Sequence, residues 1–261
     1  MPFGYARAAM IALVREVSPR LAHCELSFLE RVAVDAGRAR AQHAGYVAAL
    51  GALGLAVEWL EPLPHNADGV FVEDTALVLA EVAVITRPGV ESRRPETASV
   101  ATSLAAHRPL ARIQAPGTLE GGDIVVIGRS VYVGASARSN ADGIRQLQSA
   151  LAPFGYRVAA VAMRDCLHLK SAVTFIAPDT LLANPAWVDP QVFDARSVIE
   201  VDPGEAFAAN SLTVGGVTLL SAAFPRTGER LRRAGVVTRE LDVSELQKAE
   251  AALTCMSLIV A

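Results

Sequence analysis

A cysteine near the C-terminal end of the chain is the residue whose type and position best suit covalent chemistry. Cys255 lies in the segment LTCMSLIV, where a short predicted helix is followed by an apolar strand. A free thiol has a pKa of about 8.5, so Cys255 would act as a nucleophile only beside a base or a cation. The alternative is an inert buried cysteine, the commonest fate of this residue and the one expected for Cys24 and Cys166.

His168 is the histidine best placed to serve such a thiol. It lies in CLHLKSAVTF with a leucine on either side, so it is either a satisfied core histidine or an acid–base group shielded from water. A thiol with an adjacent imidazole is the usual arrangement of an activated cysteine, which favours the second interpretation. The remaining histidines lie in polar or helical contexts and are expected to be solvated: His23, His43, His65 and His107.

Two consecutive acids interrupt an otherwise apolar segment. Glu73 and Asp74 lie in VFVEDTALVL, residues 70–79, which is predicted to form a strand. Buried carboxylates are costly unless a cation pairs with them. The segment is therefore either an edge strand with its charges in water or the wall of a negatively charged socket. Asp68, in the preceding loop, adds a third acid.

A glycine-containing turn, Glu120-Gly121-Gly122-Asp123, opens the next predicted strand. Glycines let the backbone turn tightly or approach a ligand closely. Glu120, Asp123 and His168 are residue types that bind metals, but no HExxH-like or CxxC spacing supports a site. No metal is predicted.

Arginines in two loops, Arg93-Arg94 and Arg138, are either solvated or positioned to clamp a carboxylate by bidentate hydrogen bonds. Together with acids for a cation and a Cys/His couple, they describe a site for an amino acid with a basic side chain.

The composition of the whole chain excludes several classes of protein. Its 261 residues carry 24 basic and 27 acidic side chains, and neither a basic excess nor a charge block indicates a nucleic-acid partner. The longest mostly apolar stretch, 47–57, is well short of the roughly 20 residues that a membrane span needs. Three cysteines are too few for a disulfide framework and indicate a reducing cytoplasm. No linker divides the chain, so residues 1–261 are predicted to form a single catalytic domain.

Short apolar runs rich in β-branched residues predict strands, several of them in adjacent pairs. Gly215-Gly216 between two such runs predicts a hairpin. Apolar residues at helical spacing predict helices near 38–53, 97–107, 139–154 and 227–234, and Ser244 with Gln247 predicts a capping box. The predicted strands are 8–14, 70–79, 82–86, 124–127, 131–133, 172–176, 180–183, 212–214, 217–221 and 257–260.

Polar residues near the predicted strand ends recur every 42 to 49 positions: Asp74, Asp123, His168, Asn210 and Cys255. A period of this length indicates a stacked or closed repeat architecture. A ring of such units would bring these residues to a common centre; chance spacing is the alternative.

A series of motifs, in one order along nearly the whole chain, resembles the dimethylarginine dimethylaminohydrolase family of the guanidino-group modifying, or pentein, superfamily. The resemblance implies an α/β fold, a five-bladed α/β propeller of repeated ββαβ modules with pseudo-fivefold symmetry and a central active site. The motifs are FVEDTA (71–76), ITRPG (85–89), SRR (92–94), TLEGGD (118–123), YVGASARSN (132–140), LHLKS (167–171) and LTC-x-S near the C-terminus.

The resemblance also implies roles for individual residues. Cys255 matches the nucleophile, His168 the general acid and base, and Glu120 the carboxylate that supports the histidine. Many relatives have Cys-Cys where this chain has Cys255-Met256, and some have Asp at the position of Glu120. The residues implied to bind substrate are Asp74, with Glu73 beside it, at the guanidinium, Asp68, Arg93 and Arg138 at the amino-acid end or along the pocket, Phe71 as a pocket wall and Leu26 on a mobile lid.

The implied reaction is hydrolysis of Nω-methylated arginines to citrulline and dimethylamine or methylamine, through a covalent thiouronium on cysteine. It requires neither a metal nor an organic cofactor. The expected partner is the small-molecule substrate alone, with no nucleic acid and no membrane, and the expected assembly is a monomer or a homodimer. The alternatives are an arginine deiminase or amidinotransferase of the same superfamily, or a non-catalytic methylarginine-binding protein.

Overall fold

The structure is a computed structural model that describes residues 10–177 and 179–261. In this part of the chain, fifteen strands form five three-stranded sheets built to one plan. In each sheet the central strand pairs antiparallel with one neighbour and parallel with the other. A parallel pair needs a crossover connection, which explains why helices alternate with the sheets along the chain.

One module is made from both ends of the described chain. Strand β1 (Ile11–Val14) pairs antiparallel with β15 (Leu258–Val260) and parallel with β2 (Ala56–Trp59). Helix α1 (Ala36–Ala52) crosses from β1 to β2, and its first turn is capped by the side chain of Asp35.

The other four modules follow in order along the chain. Their strands are β3 (Ala76–Val78), β4 (Ala83–Ile85) and β5 (Leu110–Arg112); β6 (Ile124–Ile127), β7 (Ser130–Gly134) and β8 (Arg157–Val161); β9 (Val173–Ala177), β10 (Thr180–Ala183) and β11 (Ser197–Glu200); and β12 (Leu212–Val214), β13 (Val217–Ser221) and β14 (Val237–Leu241). The helices are α2 (Thr97–Ala105), α3 (Ala141–Leu151), α4 (Leu169–Ala172), α5 (Pro225–Arg233) and α6 (Ser244–Gln247), with a 3-10 turn, Pro190–Val192, between β10 and β11.

The first strand of each module lies on the inside, since β15 contacts β3, and β9 contacts both β6 and β12. The polar residues that recur along the sequence each precede one of these inner strands, and all five are buried: Asp74, Asp123, His168, Asn210 and Cys255. The prediction of an α/β propeller of five ββαβ modules is confirmed. The architecture therefore places one of these residues from each module in the interior.

Local sequence explains the elements that position these residues. In α3, Leu147 and Leu151 are fully buried against β7, and the Asn140 side chain caps the helix by accepting from Gly143 N. Gly215 and Gly216 adopt positive φ angles of 60° and 81°, which the predicted two-residue hairpin between β12 and β13 requires.

Three predictions about local structure are wrong, and part of a fourth falls outside the described residues. Residues 70–79 are not one strand: a 3-10 turn, Val72–Thr75, precedes β3. Ser244 is not an N-cap, because α6 begins at Ser244 itself. His43 is buried in α1, with its ring 6.1 Å from that of Trp59. Of the predicted strand 8–14, residues 8 and 9 lie outside the described part of the chain.

No helix among residues 10–177 and 179–261 combines the length and the hydropathy that crossing a bilayer requires.

Candidate active site

Asp74 lies on the 3-10 turn that precedes β3, and its carboxylate is fixed from two sides. Oδ1 accepts a hydrogen bond from Gly122 N at 3.0 Å, and Oδ2 accepts one from Arg93 Nη1 at 2.6 Å. A Cβ at position 122 would lie 2.6 Å from His168 Nδ1, so only glycine fits between the acid and the imidazole. Burial favours the neutral acid, but the charges of His168 and Arg93 outweigh burial and lower the pKa of Asp74.

Glu73 points the other way from the same turn. Its carboxylate accepts from Lys170 Nζ at 2.6 Å and from the Thr254 hydroxyl at 2.5 Å, and it is buried. Of the two consecutive acids, only Asp74 lines the cavity that also contains Cys255. The interpretation of this segment as an edge strand with its charges in water is wrong.

Glu120 and His168 form a buried pair. Glu120 Oε2 lies 2.7 Å from His168 Nε2, and Asp74 Oδ1 lies 3.9 Å from the other ring nitrogen. Burial alone would favour the neutral ring, but the charge of Asp74 and the hydrogen bond to Glu120 outweigh it and raise the pKa of His168 to about 9. His168 is therefore an imidazolium at neutral pH, able to donate a proton.

Cys255 lies on the loop between α6 and β15. Its carbonyl accepts from Glu73 N at 3.1 Å, and its sulfur accepts from Ala252 N at 3.4 Å. Burial, together with the negative charges of Glu73 and Asp74, raises the pKa of the thiol to about 12. The thiol is neutral at pH 7 until positive charge enters the cavity.

Arg93 is buried and bonded to three partners. Besides Asp74, it donates to Glu96 Oε2 at 3.0 and 3.2 Å and to the Phe71 carbonyl at 2.9 Å. Burial opposes its charge, but Glu96 and Asp74 raise the pKa well above its usual value. Arg93 is thus a permanent cation at the wall of the cavity.

Arg138 and Asp68 lie at the outer side of the cavity. Arg138 Nη1 lies 3.5 Å from Glu120 Oε1, and its Nη2 donates to the Ser27 hydroxyl at 3.0 Å. Asp68 Oδ2 accepts from Glu25 N at 3.1 Å. Both side chains are therefore tied to the segment 25–29, which passes over the site.

That segment is held at its far end by Glu250. The Glu250 carboxylate accepts hydrogen bonds from the backbone N–H groups of Ser27, Phe28 and Leu29 at 2.5 to 3.0 Å. Glu250 itself has a φ of 57°, a left-handed backbone that a non-glycine residue adopts at some cost. Leu26, the expected lid residue, is half-buried against the core beside this contact.

One cavity collects nearly all the residues that the sequence singled out. It is lined by Asp68, Phe71, Asp74, Arg93, Arg138, His168 and Cys255, with Glu25, Leu167, Ala249, Glu250 and Ala251. The space enclosed is about 20 Å³, enough for about one water molecule. Among the expected site residues, Glu120 lies behind His168, Glu73 faces away and Leu26 lies outside the lining. The cavity is therefore small in this structure.

Two acids and the imidazole of the site lie close enough together to bind one cation. Asp74, Glu120 and His168 offer ligand atoms within 4.8 Å of one another. Here they are bonded instead to each other and to Arg93. Asp123, the remaining acid considered for a metal, accepts from two serines and a backbone N–H.

Sequence reasoning missed several residues that shape the site, because their roles depend on distant partners. Lys170 neutralises Glu73 from 97 positions away, and Glu250 reaches the segment 25–29 from more than 220 positions away. Glu96 pairs with Arg93 from three positions further along the same 3-10 helix, Glu91–Glu96. This i, i+3 spacing of opposite charges is the one signal in the sequence that could have indicated the pair.

Comparison with known proteins gives consistent matches over most of the chain. A family model described as arginine deiminase matches residues 42–213. A protein of Streptomyces coelicolor named N(G),N(G)-dimethylarginine dimethylaminohydrolase is 42% identical over 250 residues, 95% of either chain. One of the same name from Pseudomonas aeruginosa is 38% identical over 226 residues, 86% of this chain and 89% of the relative.

Solved structures agree with the sequence matches. A cysteine-to-serine mutant of the Pseudomonas aeruginosa enzyme, complexed with citrulline, superposes with a TM-score of 0.89 at 34% identity, covering 95% of this chain and 98% of the other. A dimethylarginine dimethylaminohydrolase with glycine in place of a histidine, as an adduct with S-methyl-L-thiocitrulline, gives 0.89 at 35% identity with the same coverage. An arginine dihydrolase N-terminal domain at 20% identity and a TM-score of 0.85 shares the fold.

Proposed function

The chain belongs to the dimethylarginine dimethylaminohydrolase family, and from that premise we propose that it hydrolyses Nω-methylated arginines to citrulline. Asymmetric dimethylarginine would release dimethylamine, and monomethylarginine would release methylamine. The observation that carries the proposal is one cavity lined by a cysteine, a protonated histidine and a buried aspartate: Cys255, His168 and Asp74.

Substrate binding follows from the charges around the cavity. Asp74 Oδ1, which faces His168, accepts the planar guanidinium, while Oδ2 stays with Arg93. The amino-acid end binds at the outer side of the cavity, with its carboxylate on Arg138 and Arg93 and its ammonium on Asp68. Phe71 forms a wall of the cavity.

The segment 25–29 serves as the lid, with Leu26 as its apolar contact to the core. It must open because the enclosed space of about 20 Å³ is too small for the substrate. Reclosure expels water, which strengthens every charge interaction inside the cavity.

The first chemical step is attack by sulfur. In the free protein, burial and the charges of Glu73 and Asp74 keep the Cys255 thiol protonated. The incoming guanidinium offsets those negative charges, which lowers the thiol pKa, and the thiol gives its proton to water. The thiolate then forms a C–S bond to the central guanidino carbon.

The second step expels the amine. An amine anion cannot leave at neutral pH, so the His168 imidazolium donates its proton as the C–N bond breaks, and neutral dimethylamine departs. General acid assistance of this kind contributes about 10²–10⁴ in rate. A thiouronium remains on Cys255, and His168 is now neutral between Asp74 and Glu120.

The third step is hydrolysis. Neutral His168 takes a proton from water, and the hydroxide adds to the thiouronium carbon. The C–S bond then breaks, the hydroxyl proton of the adduct passes to the departing thiolate, and citrulline is released with Cys255 again a thiol. One water is consumed per amine released. Glu120 keeps the ring in position, through the 2.7 Å contact to Nε2, both when His168 donates a proton and when it accepts one.

Hydrolysis of free arginine is the second candidate, because the matching family model is described as arginine deiminase. The same residues would perform that chemistry with ammonia as the leaving group. The two substrates differ only in the methyl groups on the leaving nitrogen, so the space around that nitrogen decides between them.

The test is to supply asymmetric dimethylarginine, monomethylarginine and arginine separately and to measure amine, ammonia and citrulline. We expect equal amounts of citrulline and dimethylamine from the dimethylated substrate, with a kcat/KM well above that for arginine. Faster turnover of arginine would overturn the substrate assignment but not the mechanism.

The described cysteines, Cys24, Cys166 and Cys255, are free thiols. They support our proposal that the protein works in the reducing cytoplasm.

A further inference from the structure

Asp123 is a buried acid that the proposed mechanism does not use. Its exposed fraction is 0%, and it precedes β6 at the centre of the fold. Oδ2 accepts from the hydroxyls of Ser136 and Ser139, both at 2.6 Å, and Oδ1 accepts from Leu169 N at 3.1 Å. These three donors are neutral, and no arginine or lysine within the described residues forms an ion pair with Asp123.

Two of the three hydrogen bonds lead to the acid–base pair. Ser139 Oγ, which donates to Asp123, also accepts from Glu120 N at 3.1 Å. Leu169 directly follows His168, so the bond from its N–H fixes the backbone on which the imidazole is carried. Asp123 thus joins the segment that carries Glu120 to the segment that carries His168.

The packing around Asp123 leaves little room for movement. A Cβ at Gly134 would lie 2.9 Å from Asp123 Oδ1 and 3.0 Å from Leu169 Cβ, and both distances are shorter than an ordinary van der Waals contact. The glycine lets the carboxylate and the start of α4 lie directly against β7. The position of His168 relative to Glu120 is consequently set by close contact as well as by hydrogen bonds.

The negative charge of Asp123 also favours the charged form of the imidazole and contributes to the raised pKa of His168. Three acids surround His168, of which Asp74 and Glu120 are in addition paired with Arg93 and Arg138. The thiol of Cys255 lines the same cavity. Burial raises the pKa of Asp123, and the cation that most offsets this burial is the His168 imidazolium. A buried carboxylate without a cationic partner is costly, so the two groups stabilise each other's charged forms.

We propose that Asp123 is a positioning residue for the Glu120–His168 pair. It fixes the two side chains relative to each other and, through its negative charge, favours the protonated imidazole that expels the amine. The inference rests on the proposed function for its kinetic consequences. The effect on His168 itself is independent of any substrate.

The first test is Asp123→Asn, which removes the charge with little change in shape. We expect the pKa of His168, followed by NMR through its ring carbon in a Cys255→Ser background, to fall by about one unit or more. In the protein that retains Cys255, kcat should fall about tenfold or more while KM changes little, and the high-pH limb of kcat should move to lower pH.

Two serine variants distinguish a positioning role from a general loss of hydrogen bonds around Asp123. Ser139→Ala removes the link to Glu120, and Ser136→Ala removes a hydrogen bond of the same length to the same oxygen but keeps the Ser139–Glu120 bond. Ser136 Oγ also accepts from Arg138 N and Ser139 N, so this control removes more hydrogen bonds than Ser139→Ala does. We expect Ser139→Ala to lower kcat about tenfold and Ser136→Ala to lower it less than threefold. Equal effects of the two would overturn the positioning role.

An unchanged NMR titration of His168 in Asp123→Asn would overturn the electrostatic role. This measurement needs no turnover, so it stands even if the wild-type protein fails to hydrolyse methylarginine, an outcome that would refute the proposed function alone. If Asp123→Asn does not fold, the comparison of the two serine variants still decides the positioning role.

Discussion

Glu120 and His168 are 48 positions apart in the sequence and meet through a 2.7 Å contact between Oε2 and Nε2 in the interior of the protein. A carboxylate beside a buried imidazole stabilises the charged ring. The charge of Asp74 and this contact with Glu120 together keep the imidazole protonated at neutral pH, while the thiol of Cys255 also keeps its proton.

Replacement of Glu120 tests this assignment. Glu120→Gln keeps a hydrogen-bonding group next to the ring but removes the charge, so the pKa of His168 should fall. We expect kcat to drop by about 10² or more, in line with the loss of general acid assistance. The pH profile of kcat should lose activity at a lower pH than that of the wild type. A profile that coincides with the wild-type profile would contradict the role given to Glu120.

The thiol of Cys255 should not be ionised in the free protein at neutral pH. Its pKa is raised to about 12 by burial and by the charges of Glu73 and Asp74. The thiolate absorbance near 240 nm, taken as the difference between the wild type and Cys255→Ser, should rise only above pH 9 or so. A titration midpoint below about pH 8 would show a resident thiolate and would remove the need for substrate charge.

Protein stability should depend on the protonation of His168. Its pKa is about 9 in the folded state and 6.5 in the reference state, so the folded state binds the proton more tightly. The resulting stabilisation is complete below about pH 6.5 and is lost as the pH rises through about 9. The free energy of unfolding in urea should fall over this range for the wild type and should be flatter for His168→Asn. Parallel curves for the two proteins would refute the raised pKa.

Loosening the lid should weaken substrate binding more than chemistry. Glu250 accepts three backbone N–H groups of the segment 27–29, and charge-assisted bonds of this kind are about twice as strong as neutral ones. We expect Glu250→Gln to raise KM about threefold to tenfold with kcat nearly unchanged. Glu245→Gln is the matched control, because Glu245 accepts from Asp35 N outside this segment. Equal effects on KM from the two variants would exclude a specific latch.

Much of the fold could be predicted from sequence, but unevenly. Inner strands such as Ile124–Ile127 and Leu212–Val214 have the predicted bounds because they are short apolar runs between turn residues. The third strand of every module was missed. These outer strands, for example Val237–Leu241 with sequence VTREL, are largely exposed and therefore polar, so they carry no continuous apolar signal.

The site, like the fold, could be predicted from the sequence only in part. The sequence indicated which residues carry chemistry, and the structure places Cys255, His168 and Asp74 on one cavity. It could not indicate that Glu73 would turn away towards Lys170, because a 3-10 turn replaces the expected strand at Val72–Thr75. It also could not reveal that Asp123 joins two segments of the site, since its hydrogen bonds from Ser139 Oγ and Leu169 N form only after folding.

The central claim is a covalent intermediate on Cys255, and trapping that intermediate tests it most directly. The protein would be mixed with asymmetric dimethylarginine, quenched in acid within milliseconds to seconds, and measured by intact mass and by peptide mapping. We expect a mass increase equal to substrate minus dimethylamine, located on the peptide that contains Cys255 and absent from Cys255→Ser. Rapid citrulline formation by the wild type with no such adduct, or near wild-type turnover by Cys255→Ser, would contradict the account.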